Sequence, residues 1–169
     1  MNFAQFRPYD IANGTGIRCS LFVSGCRHNC PGCFNQDYQN FKYGEAWNQD
    51  IEKQLQEQMS LPQINGLTLL GGEPMQNCEG LIPIIERLHT YLESNNLKKD
   101  IWLYSGYTYE QILADSQRLE LLKLVDVLVD GLFIENLKDP SLAFRGSKNQ
   151  RIIDVQNSLK QNQIVEHIL

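Results

Sequence analysis

Leu67-Thr68-Leu69-Leu70-Gly71-Gly72-Glu73-Pro74, then apolar residues at Leu81, Ile85, Leu88 and Leu92, then Ile101-Trp102-Leu103-Tyr104-Ser105-Gly106 read as one strand–helix–strand unit. The two short apolar runs each stop abruptly at glycine, and the residues between them repeat at helical spacing. Pro83 is expected in the first turn of that helix, where its missing N–H costs nothing. Outward in both directions the pattern recurs. In 17–24, Ile17, Cys19, Leu21 and Val23 alternate with Arg18, Ser20, Phe22 and Ser24, as in a strand. Asn48 is placed to cap a helix carrying Ile51, Leu55 and Met59. Thr108 is placed to cap a helical stretch ending near Leu124, residues 125–129 form another apolar strand stopped by Asp130-Gly131, and 151–155 reads as a further strand.

Strands alternating with helices predict a parallel sheet flanked by helices. A closed eight-unit barrel takes about 250 residues. With 169 residues, the expectation is an α/β fold: an open, partial (β/α) barrel of about five or six parallel strands with outer helices, in a single domain covering 1–169. In such sheets chemistry gathers at the carboxyl ends of strands. The cysteine loop after Ser24, Gly71-Gly72-Glu73-Pro74, Tyr104-Ser105-Gly106 and Asp130-Gly131 all fall at such ends.

Fifteen basic and 20 acidic residues give a formal charge of −5, and only Lys98 and Lys99 are adjacent. That balance argues against a nucleic-acid surface. No apolar run approaches the ~20 residues of a membrane span, and residues 1–10 lack a signal-peptide pattern, so a cytoplasmic protein is expected. Five cysteines are present, three of them in one eight-residue run. In a cytosolic chain such clustering points to metal rather than disulfides.

That run is Gly25-Cys26-Arg27-His28-Asn29-Cys30-Pro31-Gly32-Cys33-Phe34, a C-x3-C-x2-C triad. Pro31-Gly32 supplies a tight turn between the last two thiols. One loop thus delivers three thiolates to three corners of a cubane. An electron-transfer [4Fe-4S] site uses four; three leave one iron open to another ligand. The competing readings are a structural zinc site, with His28 or Cys78 as fourth ligand, and a plain iron–sulfur carrier.

The triad after a first strand is the signature of the radical S-adenosylmethionine enzymes, and the chain resembles that superfamily. Within it, Asp10-Ile11-Ala12-Asn13-Gly14-Thr15-Gly16, the cysteine loop with Phe34-Asn35, 71–74, 102–107, 126–131 and Phe144-Arg145-Gly146-Ser147 with Asn149-Gln150 resemble the small activating proteins of anaerobic (class III) ribonucleoside-triphosphate reductase. Thr15 stands where that branch more often has proline. The resemblance implies a [4Fe-4S] cluster on Cys26, Cys30 and Cys33 with one open iron that chelates S-adenosylmethionine. It implies reductive cleavage to a 5′-deoxyadenosyl radical, abstraction of hydrogen from a glycine near the C-terminus of the reductase, and an electron donor such as a flavodoxin.

Gly71, Gly72, Glu73 and Pro74 suit a contact to the cofactor's amino group, Glu73 by a charge-assisted hydrogen bond or only as a helix cap. Tyr104, Ser105 and Gly106 are expected to line the adenosyl moiety, and Phe34 to pack on the adenine or the cluster, or into the core. Arg145 suits an anion or solvent, and Asp130 the partner or a turn. Residues 13–16 read as a turn into the first strand. Cys19 is expected as a buried apolar thiol and Cys78 as a bystander; His89 is expected on the surface and His167 in the tail. The rival functions are an activase of another glycyl radical enzyme, such as the pyruvate formate-lyase type, a radical enzyme of a free metabolite, and a non-catalytic carrier or zinc module.

Overall fold

Strands β1 (Asn2–Asp10), β2 (Ile17–Val23), β3 (Glu45–Ala46), β4 (Ile64–Gly71), β5 (Asp100–Tyr104), β6 (Val127–Asp130) and β7 (Arg151–Asp154) form one mixed sheet in the order β3-β1-β2-β4-β5-β6-β7. The computed structural model describes residues 1–169. The sheet is open: the two-residue β3 stands at one edge and β7 at the other.

Only β2, β4, β5 and β6 run parallel, so the expected five or six parallel strands are corrected to four. The reason lies in the connections. β1 and β2 are joined by residues 11–16, too short for the crossover that parallel neighbours need, and they pair antiparallel. Between β6 and β7 the chain has one short 3-10 turn (Glu135–Leu137) and no α-helix; it returns to the end it left, pairing Asp130 with Arg151. The parallel strands do have helical crossovers: α1 (Gln49–Met59), α2 (Cys78–Ser94), and the pair α3 (Tyr109–Leu113) and α4 (Ser116–Leu122). A last helix, α5 (Val155–Gln161), follows β7.

Local chemistry sets the helix starts. Asn48 Oδ1 accepts from the N–H groups of Asp50 and Ile51. Thr108 and Gln111 form a capping box. Asp115 caps a new helix at Arg118 N–H (3.0 Å), which divides in two the single stretch expected to run to Leu124. α2 begins at Cys78, so Pro83 is its sixth residue and lies past the first turn; its exposed ring is tolerated because that face looks at solvent.

The helices cover one face of the sheet. There Cys19, Leu21, Val23, Leu67, Leu69, Ile101, Leu103 and Leu128 meet Leu55, Met59, Leu81, Ile85, Leu88 and Leu121 in one apolar core. Burying a large aliphatic side chain of this kind contributes roughly 1.5–3 kcal/mol. The opposite face is covered by loops. Arg18 is fully buried there: it pairs with Asp100 (2.6 Å), donates to Thr68 Oγ1 (2.8 Å) and to the carbonyls of Leu67 (3.0 Å) and Thr15 (3.2 Å), and lies over Trp102 (5.2 Å). Thr68 Oγ1 donates to Asn13 C=O (2.8 Å), and a Cβ on Gly14 would stand 2.8 Å from Arg18 and 3.1 Å from Trp102. The 11–16 turn therefore folds back into the sheet's hollow. Phe144 and His167 also pack edge-on against Trp102.

Candidate functional site

Leaving β2, the chain turns at Gly25 (φ +105°), where a Cβ would meet the Phe41 ring at 2.1 Å. Gly25 N–H donates to Tyr38 C=O (2.7 Å) and Cys26 N–H to Gln39 C=O (3.1 Å), so residues 38–39 back the start of the cysteine loop. Cys33 N–H donates to Cys30 C=O (3.2 Å), closing the turn through Pro31 and Gly32, the latter at φ +71°. Cys26, Cys30 and Cys33 are half-buried free thiols. All three line one cavity of about 270 Å³ with Phe34, Gly71, Gly72, Glu73, Tyr104, Ser105 and Gly106. Of the sequence-derived site residues only Pro74 stays out of that wall; it is buried at the start of a 3-10 turn (Pro74–Gln76).

Burial pushes the Cys26 thiol up to about 11, helped by the negative charge of Glu73 and opposed by the His28 N–H. Burial and the neighbouring Cys33 also raise Cys30. No three His, Cys, Asp or Glu side chains converge on one point that would hold a single ion; a cubane spreads its thiolates over separate irons. Neither remaining cysteine lines the cavity. Cys19 is fully buried in the core, its Sγ 3.6 Å from the Pro8 carbonyl. Cys78 is buried with its Sγ 3.3 Å from the Met75 carbonyl. Burial raises both thiols to about 12.

The Gly71-Gly72 pair is required by the chain's own backbone. Gly71 has φ +106°, and a Cβ on Gly72 would stand 2.6 Å from Gly25 O and 2.8 Å from Tyr38 O. The closeness permits two bonds, one from Gly72 N–H to Val23 C=O at the end of β2 and one from Glu73 N–H to Gly25 C=O in the cysteine loop, both 2.8 Å.

Glu73, 1% exposed, accepts from four donors. Met75 N–H (2.9 Å) and Ser105 O–H (2.8 Å) reach Oε1; Gly106 N–H (2.7 Å) and His28 Nε2 (2.8 Å) reach Oε2. The carboxylate caps the turn that follows it and also ties together the ends of β2, β4 and β5. Ser105 in turn accepts from Tyr107 N–H (3.0 Å). His28 packs edge-on against Tyr107 (4.6 Å), whose other partners are the Arg118 guanidinium (3.7 Å) and Gln76 (3.1 Å). Gly106 leaves room for this: a Cβ there would meet the His28 ring at 2.7 Å. His28 and Tyr107 are the site residues that spacing alone does not reveal as partners. The one signal is the place of His28 inside the C-x3-C loop.

Other side chains differ from their sequence reading. Phe34 is not core: it is 68% exposed, tilted against Phe133 (5.0 Å) with Lys138 over it (5.3 Å). Asp130 is buried at 1% exposure, accepting from Tyr109 N–H and from Arg151, and so holds β6, β7 and α3 together. Arg145 is half-buried, donating to Gln150 C=O (3.3 Å) while its Nε is buried without a partner. His89 is half-buried beside the Leu124 carbonyl (2.8 Å). Tyr104 reaches into the hollow; its hydroxyl is buried without a partner and its pKa is raised, mainly by burial.

Residues 12–153 match the model of a family described as a 4Fe-4S single cluster domain. The chain is similar to the anaerobic ribonucleoside-triphosphate reductase-activating protein of Haemophilus influenzae, 42% identical over 156 residues that cover 90% of this chain and 97% of that one. The protein of the same name from Vibrio cholerae is 43% identical over 156 residues, 90% and 97% of the two chains. The one from Enterobacteria phage T4 is 41% identical over 154 residues, 90% and 93% of the two.

Proposed function

The chain belongs to the family of anaerobic ribonucleoside-triphosphate reductase-activating proteins, and on that premise we propose that Cys26, Cys30 and Cys33 bind a [4Fe-4S] cluster whose open iron takes S-adenosylmethionine, in a radical SAM partial-barrel domain. Bound there, the cluster would supply the electron for reductive cleavage of S-adenosylmethionine, the source of the radical that would take hydrogen from a glycine near the reductase's C-terminus. The observation that carries this reading is the meeting of three thiols and the glycine-rich ends of β4 and β5 in one cavity. The donor set fits a three-ligand cluster: Cys19 and Cys78 are buried outside that wall, and His28 is engaged by Glu73.

The chain's own residues hold and shield. Gly71 and Gly72 let the β4 end lie against the cysteine loop, and Glu73 fixes the β5 end beside it. Glu73 has no acceptor position to spare, so a cofactor ammonium reaching it shares or displaces one of those donors. Tyr104, Ser105 and Gly106 face the adenosyl part, and Phe34 lies over the rim. Pro74 locks the following turn. No helix is long and apolar enough to cross a membrane, and a cytoplasmic setting with a flavodoxin-type donor suits the chemistry.

The test is 5′-deoxyadenosine formation by anaerobically reconstituted protein given S-adenosylmethionine and dithionite, with and without the reductase. Nucleoside together with a glycyl radical signal on the reductase is expected. Nucleoside without that signal would reopen the substrate; an intact, reducible cluster that yields no nucleoside would leave only a carrier.

A further inference from the structure

Beside the cavity runs a groove of about 340 Å³ lined by Pro31, Leu132, Phe133, Ile134, Glu135 and Asn136. It is continuous with the cavity, because His28, Cys30, Leu132 and Phe133 line both. Its rim is unusually apolar for a surface: Phe34, Leu132, Ile134 and Leu137 are 68%, 40%, 41% and 39% exposed. An exposed apolar patch of this kind marks an interaction surface.

Past the end of β6 the backbone has one edge engaged by side chains and one open. Ile134 is extended (φ −116°, ψ 111°). Leu132 C=O accepts from Asn149 Nδ2 (2.8 Å) and Ile134 N–H donates to Ser147 Oγ (3.2 Å), so those two residues turn their polar groups toward 147–149. In an extended segment the next residue turns its N–H and C=O to the opposite side. That residue is Phe133, and neither its N–H nor its C=O has a partner in the protein. A residue that offers both groups on one edge is the unit that accepts an added strand.

We propose that the edge at 132–134 docks the glycine-bearing segment of the partner reductase as an added strand, paired through the N–H and C=O of Phe133, with apolar side chains seated in the groove. This rests on the activase reading, which requires a peptide backbone to reach the cavity; the groove is a path that ends there.

The experiment uses cluster-loaded protein under anaerobic conditions. A synthetic peptide of the reductase's C-terminal glycine segment, with a benzophenone residue beside the glycine, is irradiated on the protein and the crosslinks are mapped by mass spectrometry. Crosslinks within 131–138 are expected. Ile134→Asp should weaken peptide binding at least tenfold by fluorescence anisotropy, Ile134→Leu should restore it, and Ile168→Asp in the exposed tail should leave it within twofold. Crosslinks elsewhere or none at all would overturn the docking edge, as would unchanged affinity in Ile134→Asp. The map on unmodified protein decides even if that variant misfolds. Failure of the activase reading looks different: wild-type protein would then raise no glycyl radical on the reductase, wherever the crosslinks fall.

Discussion

Glu73→Gln removes a single charge and no volume, yet the geometry around it predicts a large cost. An amide offers one acceptor oxygen and a donating NH2 where the carboxylate offers two acceptors. If the oxygen takes the Oε1 place, Met75 N–H and Ser105 O–H stay satisfied, but the NH2 faces Gly106 N–H at 2.7 Å. If the amide flips, it faces Met75 N–H at 2.9 Å instead. His28 can change tautomer and Ser105 can rotate, but a backbone N–H can do neither. Each orientation therefore leaves one buried donor opposed, at about 1–3 kcal/mol, and the surviving bonds lose charge assistance. Together the expectation is a loss of about 2–4 kcal/mol in urea unfolding of the cluster-free protein at neutral pH, with an unchanged m value. Glu73→Ala should be no milder, since all four donors then lose their acceptor. A Glu73→Gln variant within about 1 kcal/mol of wild type would refute the claim that this carboxylate ties β4, β5 and the cysteine loop together.

Cys30→Ala should fail to hold a stable [4Fe-4S] cluster and should not cleave S-adenosylmethionine, whereas Cys78→Ala should retain both; iron and sulfide content with product analysis separates the cases. In native protein at pH 8, Cys19 and Cys78 should resist iodoacetamide, because burial raises both to about 12; rapid labelling of either, seen by mass spectrometry, would contradict the packing. Gly72→Ala should lower stability by roughly 1–3 kcal/mol, since its methyl meets backbone oxygen at 2.6 Å, and thermal unfolding reads this directly. Glu110, paired with Arg151, is held down to about 2, against an ordinary 4.5. Its contribution is present above pH 4.5 and fades as pH falls toward 2. Because Glu110 is 59% exposed, Glu110→Gln should cost about 1 kcal/mol or less at pH 7, and urea midpoints of the two proteins should converge by pH 2.

Much of the site is legible in the sequence because its parts are local. The C-x3-C-x2-C loop, the glycine stops after 67–70 and 101–104, and the Asn48 and Thr108 caps each declare themselves within a few residues. What escapes is non-local or weakly patterned. β1 goes unread because its exposure is irregular: of its nine residues only Phe3 and Asp10 are buried, so no period of two emerges. The antiparallel return of β7 is invisible because 131–150 carries neither a hairpin signal nor a helix. Glu73 reads equally as cap or ligand contact, since its partners Ser105, Gly106 and His28 lie 32, 33 and 45 residues away. Arg18 looks like an ordinary outward residue of an alternating strand; only the turn at 11–16, folding back beneath it, makes that side an interior.

That buried arginine has a consequence for traffic. With Arg18, Trp102 and the 11–16 turn filling the lower end of the hollow, nothing reaches the cavity through the floor of the sheet.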